Sequence, residues 1–253
     1  MDYTLLIYAS ESKFGEMTPE QQGAIFEGHN VFSKELIGTG RGRSGAALEP
    51  AATSTCLRVR DGKALLTDGP FAETKEQLGG FYTFSTNNVD ELVSMASKIP
   101  DAAYGSIEVR PLPDMPGRPP YPPVAAKPAD AKKEYLLLIY EDEKRWTKLS
   151  EAEKGKIFGR YFQLSSELRQ TGLWVDGAAL ATSDTAKTVK LRDGKRLVTD
   201  GPFAETKEQL GGFYQVWARD LDHAVSLAKK IPAAETGTIE VRPVMDVSQF
   251  MKP

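Results

Sequence analysis

Residues Thr67–Tyr82 read TDGPFAETKEQLGGFY, and the same letters return unchanged at Thr199–Tyr214. The shift of 132 positions that carries Asp68 onto Asp200 holds through the flanking chain without a gap. Tyr3–Tyr8 (YTLLIY) meets Tyr135–Tyr140 (YLLLIY), Gly45–Leu48 meets Gly177–Leu180, and Ile107–Pro111 (IEVRP) meets Ile239–Pro243. Each copy spans ~110 residues and shares roughly half of its positions with the other, so this is one domain written twice and not a solenoid unit. The reading places a first domain at 1–111, a linker at 112–133, a second domain at 134–246 and a tail at 247–253. The linker, LPDMPGRPPYPPVAAKPADAKK, is dense in proline; at about 3.1 Å per residue in polyproline conformation it reaches on the order of 60 Å.

Local signals repeat with the sequence. Residues 3–8 and 135–140 are apolar runs of strand length, which predicts strands covered on both faces. Thr18-Pro19-Glu20-Gln21 and Ser150-Glu151-Ala152-Glu153 read as capping boxes that open a helix in each copy, ending near Gly40 and Gly172. The inward stripe of that helix is Ile25, His29, Phe32 and Leu36 in the first copy and Ile157, Tyr161, Leu164 and Leu168 in the second. Asp61-Gly62 and Asp193-Gly194 lie between β-rich runs, the pattern of a tight hairpin. A second helix opens at Asn88 or Asp220, and a last strand ends each copy before a proline. Strand, helix, several strands, helix, strand predicts an α+β unit with its helices on one face of a largely antiparallel sheet. The other face needs a cover, and the equivalent sheet of the second copy supplies it about a pseudo-two-fold axis.

Composition narrows the function classes. The 253 residues are 40% hydrophobic and 26% charged with a net charge of −3, a profile that excludes disordered and collagen-like chains. A near-neutral balance argues against direct nucleic-acid binding, which needs an excess of Lys and Arg. The single cysteine, Cys56, makes neither an internal disulfide nor a thiolate zinc cluster and fits a reducing compartment. The first residues, MDYTLLIYASESKFGE, lack a basic leader and a run long enough to span a bilayer, so the expectation is a cytoplasmic protein with no membrane contact.

The repeated loop is the first candidate site. Asp68-Gly69-Pro70 forms a turn, Glu73, Lys75 and Glu76 bring charge of both signs, and Gly79-Gly80 allows close approach. One reading makes it a polar loop that lines a cleft, with Asp68 or Glu76 as acid, base or anchor, Lys75 as a positive charge, and Asp200, Lys207 and Glu208 as their counterparts. The other makes it a structural loop that seals the sheet through turn chemistry and an ion pair. His29 is the second candidate, on the inward stripe of the first helix. It reads either as a satisfied core histidine or as a group that exchanges a proton near neutral pH, and Tyr161 replaces it in the second copy. Arg41 and Arg43 read as solvated charges or as local anion contacts. His223 reads as a surface residue.

Several motifs are refused. Gly40–Gly45 (GRGRSG) fits a dinucleotide pattern but follows a helix and precedes a strand, the reverse of the required order. No P-loop, Cys-x-x-Cys pair or His-Glu-x-x-His is present. Asp68, Glu73 and Glu76 offer carboxylates without imidazole, so neither a metal nor a cofactor is expected.

DGPFAETKEQLGG followed by an aromatic pair, the Leu-Leu-Ile-Tyr strand and the terminal Ile-Glu-Val-Arg-Pro resemble the DGPF branch of the YCII-related domain family over nearly all of both copies. The resemblance implies two ferredoxin-like units paired as a dimeric α+β barrel, here within one chain. It also implies an active-site histidine on the first helix about eleven residues before a glycine, a spacing that His29 and Gly40 fit and Tyr161 does not. Members often stand beside extracytoplasmic-function sigma factors, which implies such a factor as a partner.

The expected function is small-molecule binding, with acid/base chemistry in a barrel cleft of the first half. His29 would act as acid or base, Asp68 would orient it, and Lys75 or Arg41 would hold an anionic group. The three tryptophans, Trp146, Trp174 and Trp217, all fall in the second copy and suggest an apolar pocket there. Two alternatives stay open: a non-catalytic regulator that senses a ligand or binds a protein, and a scaffold whose repeated loop only stabilises the barrel.

Overall fold

The computed structural model describes residues 1–72, 74–113, 127–248 and 250. Glu73, most of the proline-rich linker and most of the residues beyond 248 lie outside the described residues.

The first copy runs β1 (Asp2–Ala9), α1 (Glu11–Gly15), α2 (Pro19–Gly38), β2 (Gly42–Ala47), β3 (Thr55–Arg60), β4 (Lys63–Asp68), β5 (Gln77–Ser85), α3 (Val89–Ala96) and β6 (Ser106–Pro111). The second repeats it as β7 (Lys133–Glu141), α4 (Glu143–Trp146), α5 (Glu151–Gln170), β8 (Trp174–Ala179), β9 (Lys187–Arg192), β10 (Lys195–Asp200), β11 (Gln209–Ala218), α6 (Leu221–Ala228) and β12 (Thr238–Pro243). Thr18 and Ser150 close reciprocal capping boxes at the starts of α2 and α5, and Asn88 and Asp220 cap α3 and α6. Asp61 and Asp193 take a φ of 51° with a positive-φ glycine after each, which is the twist that a two-residue hairpin needs. The short α1 and α4 are additions that the sequence pattern did not announce.

The strands form two antiparallel sheets of six, in the orders β10-β9-β6-β1-β5-β2 and β4-β3-β12-β7-β11-β8. The fold is the α+β, ferredoxin-like pseudo-dimer expected, with one departure: the hairpins are exchanged. β3 of the first copy pairs with β12 of the second, and β9 of the second pairs with β6 of the first, through Ile239↔Leu57 and Ile107↔Val189 among others. Leu57 and Val189, both fully buried, thereby join the core of the opposite half.

Alternation along each central strand sorts side chains into layers. In β1, Tyr3, Leu5 and Ile7 face the helices, where they pack on Phe32 and Leu36 of α2. Leu6 faces the other way and joins Leu78, Phe81, Leu136, Leu138, Leu210 and Phe213 between the sheets. Phe81 and Phe213, equivalent positions of the two copies, meet at a centroid distance of 4.6 Å, which places the pseudo-two-fold axis between the sheets.

Candidate functional site

Between the sheets, on that axis, lies a cavity of about 50 Å³. Its lining is paired by the repeat: Tyr8 with Tyr140, Phe71 with Phe203, Thr74 with Thr206, Arg110 with Arg242, and Glu108 with Glu240. In Ile107–Arg110 the apolar residues face the helices, and alternation turns Glu108 and Arg110 inward. Both are nearly inaccessible, at 2% and 1% exposed. Arg110 Nε donates to Glu108 Oε1 at 2.9 Å, and its Nη1 donates to the carbonyls of Ala181 and Leu210 in the second copy at 3.0 and 3.3 Å. Glu108 Oε2 accepts the backbone N–H of Phe203 at 2.8 Å, while Glu240 Oε2 accepts that of Phe71 at 2.9 Å. Each of these phenylalanines stacks on the first-strand tyrosine of the opposite copy, Phe203 on Tyr8 at 4.5 Å and Phe71 on Tyr140 at 4.3 Å.

These contacts account for the unchanged loop. Gln77 Nε2 donates to the carbonyls of Ala72 and Thr74, holding the loop's own shape. Gly69 and Gly201 take φ of 95° and 101°, and a Cβ on Gly80 would stand 2.6 Å from the Ala46 carbonyl oxygen. Each loop is seated on the opposite half, so a change in one must fit residues of both copies. The loop lines the cavity through Phe71, Ala72, Thr74 and Glu76 and at the same time ties the two halves together.

The expected site residues fare unequally. Glu76 lines the cavity and accepts from Ser106 Oγ at 2.7 Å; Glu208 accepts from Thr238 Oγ1 at 2.9 Å. Lys75 and Lys207 are exposed and stand outside the lining. Asp68 is exposed at the end of β4 in the sheet built on β12, and Asp200 pairs with Lys187 at 2.6 Å. Arg41 is held by both oxygens of Glu91, at 2.8 and 2.5 Å, and so braces α3 where an anion contact was expected. Among the tryptophans Trp174 is buried against Tyr214, Trp146 stacks on Phe158, and none lines the cavity. Cys56 is buried, and desolvation pushes its thiol up to about 12, far from a reactive thiolate.

His29 occupies a different place. It sits on α2, on the helix-facing side of the first sheet, whereas the cavity lies on the sheet's other side. The expectation that Asp68 orients it is corrected: Nε2 donates to Asp101 Oδ2 at 2.7 Å. Ser33 Oγ donates to the Tyr82 hydroxyl at 3.2 Å, and that hydroxyl donates to His29 Nδ1 at 3.1 Å. The network thus assigns the tautomer that carries its proton on Nε2. Burial raises the pKa of Tyr82, so it remains a phenol and a donor. The His29 and Asp101 side chains are 24% and 15% exposed, so the pair is sheltered and still reachable. Asp101 belongs to the turn Pro100–Ala103, locked against α2 because Gly28 leaves room for Pro100.

The second half keeps only part of this arrangement. Ser165 and Tyr214 repeat Ser33 and Tyr82, with hydroxyls 3.3 Å apart. Tyr161 stands where His29 does, and Ala233 where Asp101 does. The Tyr161 hydroxyl bonds to the backbone of Ala233, and burial raises its pKa far above the ordinary value. Sequence reading noted the first exchange and missed the second, although laying IPDAA over IPAAE shows it. Among the described residues no three His, Cys, Asp or Glu side chains gather as metal ligands, and no helix is long and apolar enough to cross a membrane.

Comparison with known proteins fits the repeat. The model of the YCII-related domain matches residues 1–116 and again 134–248. A protein of Rhizobium meliloti (strain 1021) whose function is uncharacterised is 34% identical over 114 residues, which are 44% of this chain and 92% of that protein. Two solved structures follow a similar chain path: a candidate chlorite dismutase, with a TM-score of 0.47 at 8% identity over 99% of this chain and 96% of its own, and a haem-binding protein from Thermus thermophilus, with a TM-score of 0.45 at 10% identity over 97% and 90%.

Proposed function

We propose, for a chain that belongs to the YCII-related domain family in both of its halves, that the first half binds a small molecule beside α2 and acts on it by acid/base chemistry. One observation carries the reading: His29 and Asp101 are present together in the first half and absent together from the second, while the surrounding Ser and Tyr remain. The two residues form one unit, since Asp101 without its histidine would be a sheltered carboxylate left unpaired, and the unit's partial exposure, 24% and 15%, sets it where a solute can reach it.

The roles follow from the hydrogen bonds. Asp101 fixes the imidazole through its Nε2–H, which leaves Nδ1 as the working nitrogen. A substrate proton reaches Nδ1 through the Tyr82 hydroxyl, which gives its own proton to the ring as it accepts one. The second half, in this reading, is a structural partner whose hairpin completes the first sheet.

A thermal-shift screen of the whole chain against a metabolite library tests the proposal. A ligand that binds only the folded state at a hundred times its Kd adds about 2.7 kcal/mol of stability and raises the melting temperature. His29→Gln and Asp101→Asn should each lower turnover of the substrate so found by at least a hundredfold while leaving the fold intact. Turnover unaffected by both changes rules the dyad out.

A further inference from the structure

We propose that β10 is an interaction surface for a second copy of this chain, which lays its own β10 alongside in antiparallel pairing, with a two-fold axis at Val198. Among the described residues β10 ends the first sheet, as β4 ends the second, and every residue of both strands is exposed. The opposite ends, β2 and β8, are closed on one another. Ser44 Oγ on β2 donates to Asp176 Oδ2 on β8 at 2.5 Å, and a bulge interrupts the pairing of each strand. β10 pairs with β9 without a bulge, contains no proline, and carries Leu197 and Val198 exposed at its centre. A regular edge with an apolar centre is the kind of strand that accepts another.

The backbone fixes which residues meet. Asp193-Gly194 is a two-residue turn, so Arg192 and Lys195 exchange hydrogen bonds across it. The series continues through Leu197 and Thr199 to Gly201, whose N–H donates to the Ala186 carbonyl at 2.8 Å. The N–H and C=O groups of Arg196, Val198 and Asp200 therefore point away from β9. Two such edges pair where outward residues face outward residues. With Val198 opposite Val198, Arg196 stands opposite Asp200 of the second copy, and Asp200 opposite its Arg196, while Leu197 faces Thr199. Sliding one strand by two residues in either direction loses both charge pairs. The Asp200 carboxylate gives Oδ1 to Lys187 and is otherwise exposed, which leaves it open to a second cation. β4 lacks that cation: Ala64 stands where Arg196 does, so two β4 edges in the same register form no charge pair, and β4 against β10 forms one. Charge complementarity thus selects β10 as the edge and a second copy as its occupant. Six residues a side fall well short of the roughly 20–30 of a standard interface, so the dimer forms reversibly.

Sedimentation equilibrium of the full chain tests this. The average mass should rise from monomer towards dimer as the concentration is raised to about 1 mM. Val198→Pro removes an outward N–H that the hairpin does not use and should lower the association constant at least tenfold while circular dichroism shows the fold retained. Leu66→Pro, the same change on the β4 edge, should leave association as it is. Arg196→Asp and Asp200→Arg should each weaken self-association at least tenfold, because like charges then face each other. Mixed in equal amounts, these two variants should pair with one another, since both contacts become Asp opposite Arg. A chain that stays monomeric throughout, association that survives Val198→Pro or is lost in Leu66→Pro, or a mixture that fails to recover would overturn the proposal, and the first of these needs no variant to fold.

Discussion

Arg110 and Arg242 are, among the described residues, the largest side chains that are almost wholly buried. A lone ion in such a place costs several kcal/mol, yet each guanidinium meets a carboxylate two residues away on its own strand and two carbonyls of the opposite copy. The pair therefore specifies which surface each half docks on. IEVRP was visible as a repeat, but nothing local marks its Glu and Arg as buried, since a strand with one wet face has the same alternation. The Arg41–Glu91 pair is a surface case, and its effect depends on pH. Hydrogen bonds from Arg41 and Thr86 hold the Glu91 carboxyl below its ordinary value of 4.5. A depressed acid contributes stability that is present above its unfolded pKa and lost as the pH falls through the folded one. Glu91→Gln should thus lower the melting temperature at pH 7, and the deficit should vanish near pH 3; a deficit constant across that range would mean that the charge is irrelevant.

At the scale of elements, what the sequence made legible was what neighbours along the chain decide. The capping boxes, the Asp-Gly hairpins and the glycine stops at Gly40 and Gly172, with φ of 67° and 71°, all depend on residues within a turn of one another. Of the glycines with a long-range reason, the Gly79-Gly80 pair stood out in the sequence and Gly105 did not. A Cβ on Gly105 would stand 2.0 Å from the Tyr8 carbonyl oxygen and 3.0 Å from Ala9 Cα, both backbone atoms of β1, whereas one on Gly23 meets nothing within 4 Å. Gly105→Ala should accordingly destabilise by about 1–3 kcal/mol or more, because β6 must part from β1. Gly23→Ala, in the interior of α2, should stabilise by about 0.5–1 kcal/mol through helix propensity. Urea midpoints of the two variants against the parent chain measure both, and a reversal of their order would contradict the close packing of β6 on β1.

The whole molecule is two copies that cannot be pulled apart without unpairing β3 from β12 and β9 from β6. Residues 1–113 expressed alone should therefore not persist as a folded monomer. The fragment should form a homodimer by the same exchange, since half of its positions are shared with the copy it has lost, and light scattering across a concentration series reads this directly. A stable, concentration-independent monomer would show that the hairpin can fold back on its own sheet. By itself the sequence determined the duplication, the order of the main strands and helices, the α+β class and His29 as a candidate, because periodicity, capping and turn chemistry act over a few residues and a repeat is visible by inspection. Only the tertiary structure decided that the hairpins cross over, that Asp101 and not Asp68 holds His29, and that the unchanged loops enclose a cavity apart from that histidine. Each of these rests on residues far apart in the chain and close in space. Pairing at such distances is settled by the fit of whole sheets, for which no local pattern stands in.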